Sequence, residues 1–249
     1  MDIRNEYGCL EIQQSLLELI KQFHVFCVQN NVRYSLIGGS LLGAVRENGL
    51  IPWDDDMDVM IDRDNLKKVI TLLSSHDTLT VYRSLWVYRI QWRNEEIKVG
   101  YQPTIDLFAV DNMPDSVVAR KWTLLKLHCL QGMIKGKPDY SKFSFKNKVL
   151  SFVTYYLGKL FPLNFKRDLY DKIAQRYDGT ETNKKAIFFA QYHQLAYLYP
   201  KDMMNNLILH QFEDTNVYIT KDFDEVLTMT YGDYMTPPER KDCKPSHNK

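Results

Sequence analysis

Four aspartates, Asp54, Asp55, Asp56 and Asp58, fall within five positions, between the Pro52-Trp53 pair and the apolar run Val59-Met60-Ile61. Side chains at i and i+2 of a strand share a face, so Asp56 and Asp58 project together, and Met57 and Val59 point to the other side. Two carboxylates held side by side repel unless a cation sits between them. Mg²⁺, or Mn²⁺ in its place, suits the pair: it takes oxygen ligands, typically one or two carboxylates plus substrate phosphates and water. Asp106 stands alone among apolar residues in TIDLFAV, 104–110. A lone carboxylate there is costly unless it meets a metal or a proton, and it would face the same cleft if its strand lies near MDVMI, 57–61. Upstream, Gly38-Gly39-Ser40 joins a strand to a helix start, a geometry that presents backbone N–H groups to a phosphate. Arg46, one to two turns along that helix, could approach the same phosphate. Together the parts describe metal-assisted attack on a nucleotide phosphate.

Each part has a plainer reading when taken alone. The glycine turn could be structural, and the acid run could be a solvated edge. An EF-hand loop fits Asp54, Asp56 and Asp58 as ligands one, three and five, but Val59 stands where that loop needs Gly and Asn65 where it needs Glu. A bare DxD glycosyltransferase motif leaves the glycine-serine turn unexplained. The combination favours a site.

The elements that must position these residues are legible from periodicity. Leu16, Leu19, Ile20, Phe23 and Phe26 have helical spacing over 9–29. VRYSLI, 32–37, reads as a strand, and LLGAVREN as a short helix closed by Gly49. MDVMI is the next strand, and Asp62 is a plausible N-cap for a helix carrying Leu66, Val69, Ile70, Leu72 and Leu73. LTVYR (79–83), VYRIQW (87–92) and TIDLFAV read as strands. From Asp115 to about 200 the pattern is mostly helical, broken near Gly136-Lys137-Pro138 and Pro162. NVYIT (216–220) reads as a strand, and DFDEVLTMTYG (222–232) as a helix stopped by Gly232. The expected fold class is therefore α/β (α+β): a mixed sheet in 1–114, with a mostly helical part, 115–249, packed on it in one domain, because no linker separates them.

Bulk composition constrains the function. The chain has 249 residues, 45% apolar and 25% charged, with a formal net charge of +1. That balance gives no basic surface pointing to nucleic acid as a partner. The four cysteines, Cys9, Cys27, Cys129 and Cys243, are scattered without a CxxC pair, which favours a reducing compartment. MDIRNEYGCLEI lacks a basic region followed by an apolar stretch, so no signal peptide is expected. No uncharged apolar run reaches the ~18 residues a membrane span needs. The expected localisation is cytoplasmic.

The residues Gly39-Ser40-Leu41-Leu42-Gly43-Ala44-Val45-Arg46 and Pro52-Trp53-Asp54-Asp55-Asp56-Met57-Asp58 resemble the leading motif of the LicD/fukutin family of phosphotransferases, which have a nucleotidyltransferase fold. Ile105-Asp106-Leu107-Phe108-Ala109-Val110-Asp111 resembles the family's next strand motif, and Tyr231-Gly232-Asp233-Tyr234-Met235-Thr236-Pro237-Pro238, with His247, its ending. The middle, about 115–215, matches only in general character. The resemblance implies transfer of a phosphorylated small group, phosphocholine or a polyol phosphate such as ribitol phosphate, from a CDP-linked donor to a hydroxyl of a cell-surface glycan, lipopolysaccharide or capsule. Carried over by position, Asp56 and Asp58 hold the metal, and Asp106 completes its shell or takes the acceptor's proton. Gly39 and Ser40 hold the donor diphosphate, and Asp54 and Asp55 support the metal or touch the donor. Two other classes stay open. One is a nucleotidyltransferase that attaches a nucleoside monophosphate to an alcohol; the other is a non-enzymatic divalent-cation-binding module, which would leave its metal short of ligands.

Three features stand apart. YGDY could equally be a helix C-cap, with Gly232 in the left-handed region. His24, His76, His128, His193 and His210 show no ligand spacing. VLSFVTYYLGKLFPL, 149–163, is apolar and aromatic, and is flanked by Lys142, Lys146, Lys148, Lys166 and Arg167. Too short to span a bilayer, it reads as a core helix or as a peripheral contact with the inner face of the cell membrane, where a lipid-linked glycan acceptor would sit.

Overall fold

A computed structural model describes residues 3–93, 102–138, 145–190 and 194–245. The chain forms two compact units, neither continuous in sequence. The first comprises Met1–Tyr82, Tyr88–Ala109 and Asp202–Lys249, and the second comprises Arg83–Val87 and Val110–Lys201. His193, His247 and Lys142, considered above, lie outside the described residues.

In the first unit, the short turn α1 (Ile3–Glu6) precedes α2 (Leu10–Gln29). The residues of the apolar stripe on α2, Leu16, Leu19, Ile20, Phe23 and Phe26, are all buried, as their spacing predicts. Phe23 meets Tyr34 of β1 (Tyr34–Leu36) with ring centroids 5.2 Å apart. Asn31 turns the chain between them at φ 50°. β1 pairs antiparallel with β2 (Met57–Asp62), Leu36 opposite Val59. Between them runs α3 (Gly38–Glu47). The helix therefore begins at the glycines, where the sequence suggested a break before Leu41. Asp62 caps α4 (Arg63–Leu73) as expected, its carboxylate accepting from Asn65 N–H at 2.9 Å.

β3 (Leu79–Ser84), β4 (Val87–Trp92) and β5 (Ile105–Met113) complete the order β1-β2-β5-β4-β3. β5 is thus the neighbour of β2, the placement Asp106 required. The last part of the unit is the hairpin of β8 (Leu207–Phe212) and β9 (Thr215–Thr220), then α8 (Phe223–Tyr231). β9 packs on β1, where Thr220 N–H donates to the buried Ser35 Oγ at 2.8 Å. Alternation marks NVYIT, but its partner LILHQF has no strict period-two pattern, because Ile208 and Leu209 are both exposed.

The second unit carries α5 (Val117–Ile134), α6 (Phe145–Gly158) and α7 (Leu163–Ala174). The end of β5 pairs with β6 (Lys184–Ala186), and β6 pairs with β7 (Tyr199–Pro200). These strands of three and two residues are too short to show a period. Leu127 and Leu130 of α5 are buried, as are Tyr170, Phe188 and Phe189. Gln131 is buried in this interior, its Nε2 donating at 3.0 Å to Tyr170 Oη and to the Ala190 carbonyl. α6 is not a core helix. Thr154 and Gly158 face inward while Phe152, Val153, Tyr156 and Leu157 are exposed. Overall the fold is mixed α/β, as the sequence predicts.

Candidate active site

The site is built in the first unit, where the start of α3 meets the acid run. Gly38 has φ +61°, and a Cβ added there would lie 2.7 Å from Asp58 Oδ2. A Cβ on Gly39 would lie 2.6 Å from Asp54 Oδ2. A side chain at either position would displace a carboxylate of the cluster, and Gly38 has the added reason of a left-handed conformation. Ser40 is buried, and its Oγ accepts from Asp58 N–H at 2.8 Å. Ile37 N–H donates to the Asp58 carbonyl at 3.1 Å. The glycine-serine turn thus clamps the first residues of β2 and holds the aspartates at the mouth of a helix N-terminus, where the macrodipole favours negative charge.

The acids are crowded. Carboxylate oxygens of Asp54, Asp55 and Asp56 lie within 4.8 Å of one another, and Asp55 is fully buried. Burial, then the charge of Asp56 and a hydrogen bond to it, hold Asp54 well above the usual carboxylate range. Two carboxyls make such a bond only when one carries a proton. Burial also pushes Asp58 well up, followed by the charges of Asp56, Asp106 and Asp54, with Arg89 opposing them. A proton or a cation relieves this repulsion.

Asp106 lies opposite Arg89 in the β4–β5 register. Arg89 Nε is 2.8 Å from Asp106 Oδ1, and Nη2 donates to Oδ2 at 3.0 Å. Burial works against the charge on Arg89, yet Asp106 and Tyr82 more than offset it and raise its pKa. The sequence reading gave Asp106 a choice of metal or proton; the structure adds an arginine. The signal was present, since Arg89 is the lone charge of VYRIQW. Arg46 is almost enclosed, its side chain 6% exposed. Its Nε pairs with Glu47 at 2.7 Å and Nη1 donates to the Tyr234 carbonyl at 3.1 Å. Nη2 is buried with no hydrogen-bond partner among the described residues. The YGDY segment thus reaches the first motif through its backbone, and Gly232 caps α8 at φ +70°.

Two anchoring residues escaped the sequence reading. Gln13 of α2 is buried, and its Nε2 donates to the carbonyls of Ile51 and Asp54 at 2.8 and 2.6 Å. Its signal was a polar residue on the apolar stripe, one turn before Leu16. Glu213, at φ +52° in the β8–β9 turn, accepts from Leu50 N–H at 3.2 Å, and its own N–H donates to the Asn48 carbonyl at 2.7 Å. No local pattern announces it.

The family comparison falls on the segment that carries the site. Residues 31–128 match the LicD/FKTN/FKRP nucleotidyltransferase domain. The chain is 26% identical over 264 aligned residues to the lipopolysaccharide cholinephosphotransferase LicD of Haemophilus influenzae, covering 95% of each. It is also 49% identical over 47 residues to uncharacterized proteins of Rickettsia prowazekii and Rickettsia typhi, a stretch that covers 19% of this chain and 18% and 15% of theirs. The domain match and the full-length alignment bear out the resemblance read from the motifs.

Proposed function

We propose that this chain is a LicD-type phosphotransferase that moves a phosphorylated small group from a CDP-linked donor to a hydroxyl of a cell-surface glycan, with phosphocholine and lipopolysaccharide as the leading pair. The observation that carries the reading is the acid cluster pressed against Gly38 and Gly39 at the start of α3. It lies inside the segment that matches the nucleotidyltransferase domain, in a chain aligned end to end with a cholinephosphotransferase.

The donor set fits Mg²⁺ or Mn²⁺. It is all carboxylate oxygen, three of its members are within bonding reach of a common ion, and two are pushed up in the absence of a cation. Asp54, Asp55, Asp56 and Asp58 would hold the ion. When bound, it neutralises diphosphate charge and leaves the phosphorus open to attack. The chain supplies the rest. Backbone N–H groups at the start of α3 and the spare Nη2 of Arg46 are the donors for the diphosphate. Asp106, held in place by Arg89, takes the proton from the acceptor hydroxyl. In that role Asp106→Asn lowers the rate by about 10²-fold or more at every Mg²⁺ concentration. Partial rescue by excess Mg²⁺ would make Asp106 a metal ligand instead.

The test is a donor screen. The full chain is incubated with Mg²⁺ and a panel of CDP-linked compounds, with and without acceptor glycan. Release of CMP, abolished by Asp56→Asn or Asp58→Asn, is the expected result. Pyrophosphate release from a nucleoside triphosphate, with no CMP formed from any CDP-linked compound, would replace the proposal with nucleotidyl transfer.

A further inference from the structure

α6 is built inside out for a helix in water. Its inward face is small and polar: Thr154 and Gly158 are buried. They pack so close to α5 that a Cβ on Gly132 would meet Thr154 Oγ1 at 2.4 Å, and one on Gly158 would meet the Met133 carbonyl at 2.4 Å. Its outward face is large and apolar. Phe152 and Tyr156 are about half exposed, with their rings 4.5 Å apart, and Leu157 stands beside them. The face continues past the helix, where Leu160 is 73% exposed and Phe161 stacks on Phe165 at 5.6 Å. In water a surface helix buries its large apolar side chains and exposes its polar ones. Close packing through Gly, Ser and Thr with bulky side chains turned outward is how helices associate in lipid.

The stretch that carries this face is strongly basic. Residues 116–167 hold eleven Lys and Arg and a single acid, Asp139, a net charge of +10 in a chain whose total is +1. Lys121, Lys126, Lys148 and Lys159 are exposed, and Lys159 lies over the rings of Tyr155 and Tyr156 at 4.6 and 5.0 Å. Not all of the cations are available. Lys166 is buried, and its Nζ donates to the terminal carbonyls Met133 and Gly158 of α5 and α6. Arg167 holds the Leu85 and Arg83 carbonyls. Both are structural.

We propose that the apolar face of α6 and the turn after it, Phe152 to Phe165, rest in the headgroup region of an anionic bilayer. The helix has 14 residues, about 21 Å, too short for the ~30 Å hydrocarbon core, so it lies in the plane of the interface. An acid-poor basic surround complements anionic headgroups and would not favour a second copy of the same basic surface. The inference does not rest on the proposed reaction, and its test needs no substrate.

The full chain is sedimented with phosphatidylglycerol-containing vesicles and, separately, with phosphatidylcholine vesicles. Binding is expected to anionic vesicles at low salt and to fall as salt rises. Lys148→Glu with Lys159→Glu should weaken it by about fivefold or more per residue. Leu160→Glu with Phe161→Glu should weaken it by about 100-fold, while Leu209→Glu, equally exposed on β8, leaves it unchanged. All of these residues are on the surface, so thermal melts of the variants should match wild type. Protein that stays in the supernatant with anionic vesicles at low salt overturns the proposal. So does equal binding by the Leu160-Phe161 variant, or a dimer in gel filtration that this variant dissociates without any vesicle binding.

Discussion

At Asp58 the geometry of the site and its pH behaviour are one property. Burial and three neighbouring acids push its carboxyl well above the ordinary range, and Asp54 is pushed the same way. An acid raised on folding binds its proton more tightly in the folded state. The stability it lends is complete below its unfolded value, about pH 4, and drains away as pH rises through the raised folded value. Metal-free protein should therefore lose stability as pH rises above about 4, where the unfolded chain releases protons that Asp54 and Asp58 retain in the fold. Asp58→Asn cannot acquire the carboxylate charge. Without metal it should melt above wild type at pH 7, and the gap should close toward pH 4. Added Mg²⁺ should reverse the order at pH 7, because wild type gains by mass action and the variant does not. Thermal melts with and without chelator decide this: a variant that melts at or below metal-free wild type at pH 7 rules out like-charge repulsion at Asp58. The glycines obey the same geometry. Gly38→Ala combines a left-handed φ with a Cβ against Asp58 Oδ2, so it should cost about 1–3 kcal/mol in denaturant unfolding. Stability equal to wild type would show that the turn adopts another conformation.

At the scale of elements, the acid run is a loop held from two sides. Gln13 reaches it from α2 and Glu213 from the β8–β9 turn, and neither touches a carboxylate of the cluster in the contacts described. Gln13→Leu keeps the bulk but leaves the Ile51 and Asp54 carbonyls without that donor. Loss of this buried pair should cost about 1–3 kcal/mol. It should also weaken Mg²⁺ binding by about 10-fold or more, because the loop no longer holds its acids in place. Calorimetric titration with Mg²⁺ measures the second effect, and an unchanged affinity would reduce Gln13 to a packing role. The acids can stand next to a buried strand because the loop that carries them is tied through its own backbone, at the Ile51 and Asp54 carbonyls and the Leu50 N–H.

On the scale of the whole chain, the reach of sequence reasoning followed the range of the interaction. The acid run, the helix of 10–29 and the Asp62 cap rest on local pattern and were legible, whereas the position of β5 beside β2 entered only as the condition on which Asp106 could face the site. Arg89 opposite Asp106 needed a register, and Glu213 at the loop needed a contact across some 160 residues of chain. Arg89 stood out as the lone charge of its strand while its pairing did not, and no local pattern carries Glu213. α6 shows the opposite limit. Its composition announced an apolar helix, but which side faced the protein depended on Gly132 and Met133 of another helix. The two proposed ligands also fall on different parts of the chain, since every acid of the cluster belongs to the first unit and every residue of the apolar face to the second. Hydrogen exchange can separate them on one sample. Bound Mg²⁺ with a CDP-linked compound at about 100 times its Kd stabilises whatever opens with the site by about 2.7 kcal/mol, slowing exchange there about 100-fold. That slowing should fall on the peptides spanning 37–58 and 105–109. Anionic vesicles should instead slow exchange over 149–165. Vesicle protection confined to the acid loop, or metal protection confined to α6, would mean that the two chemistries have been assigned to the wrong units.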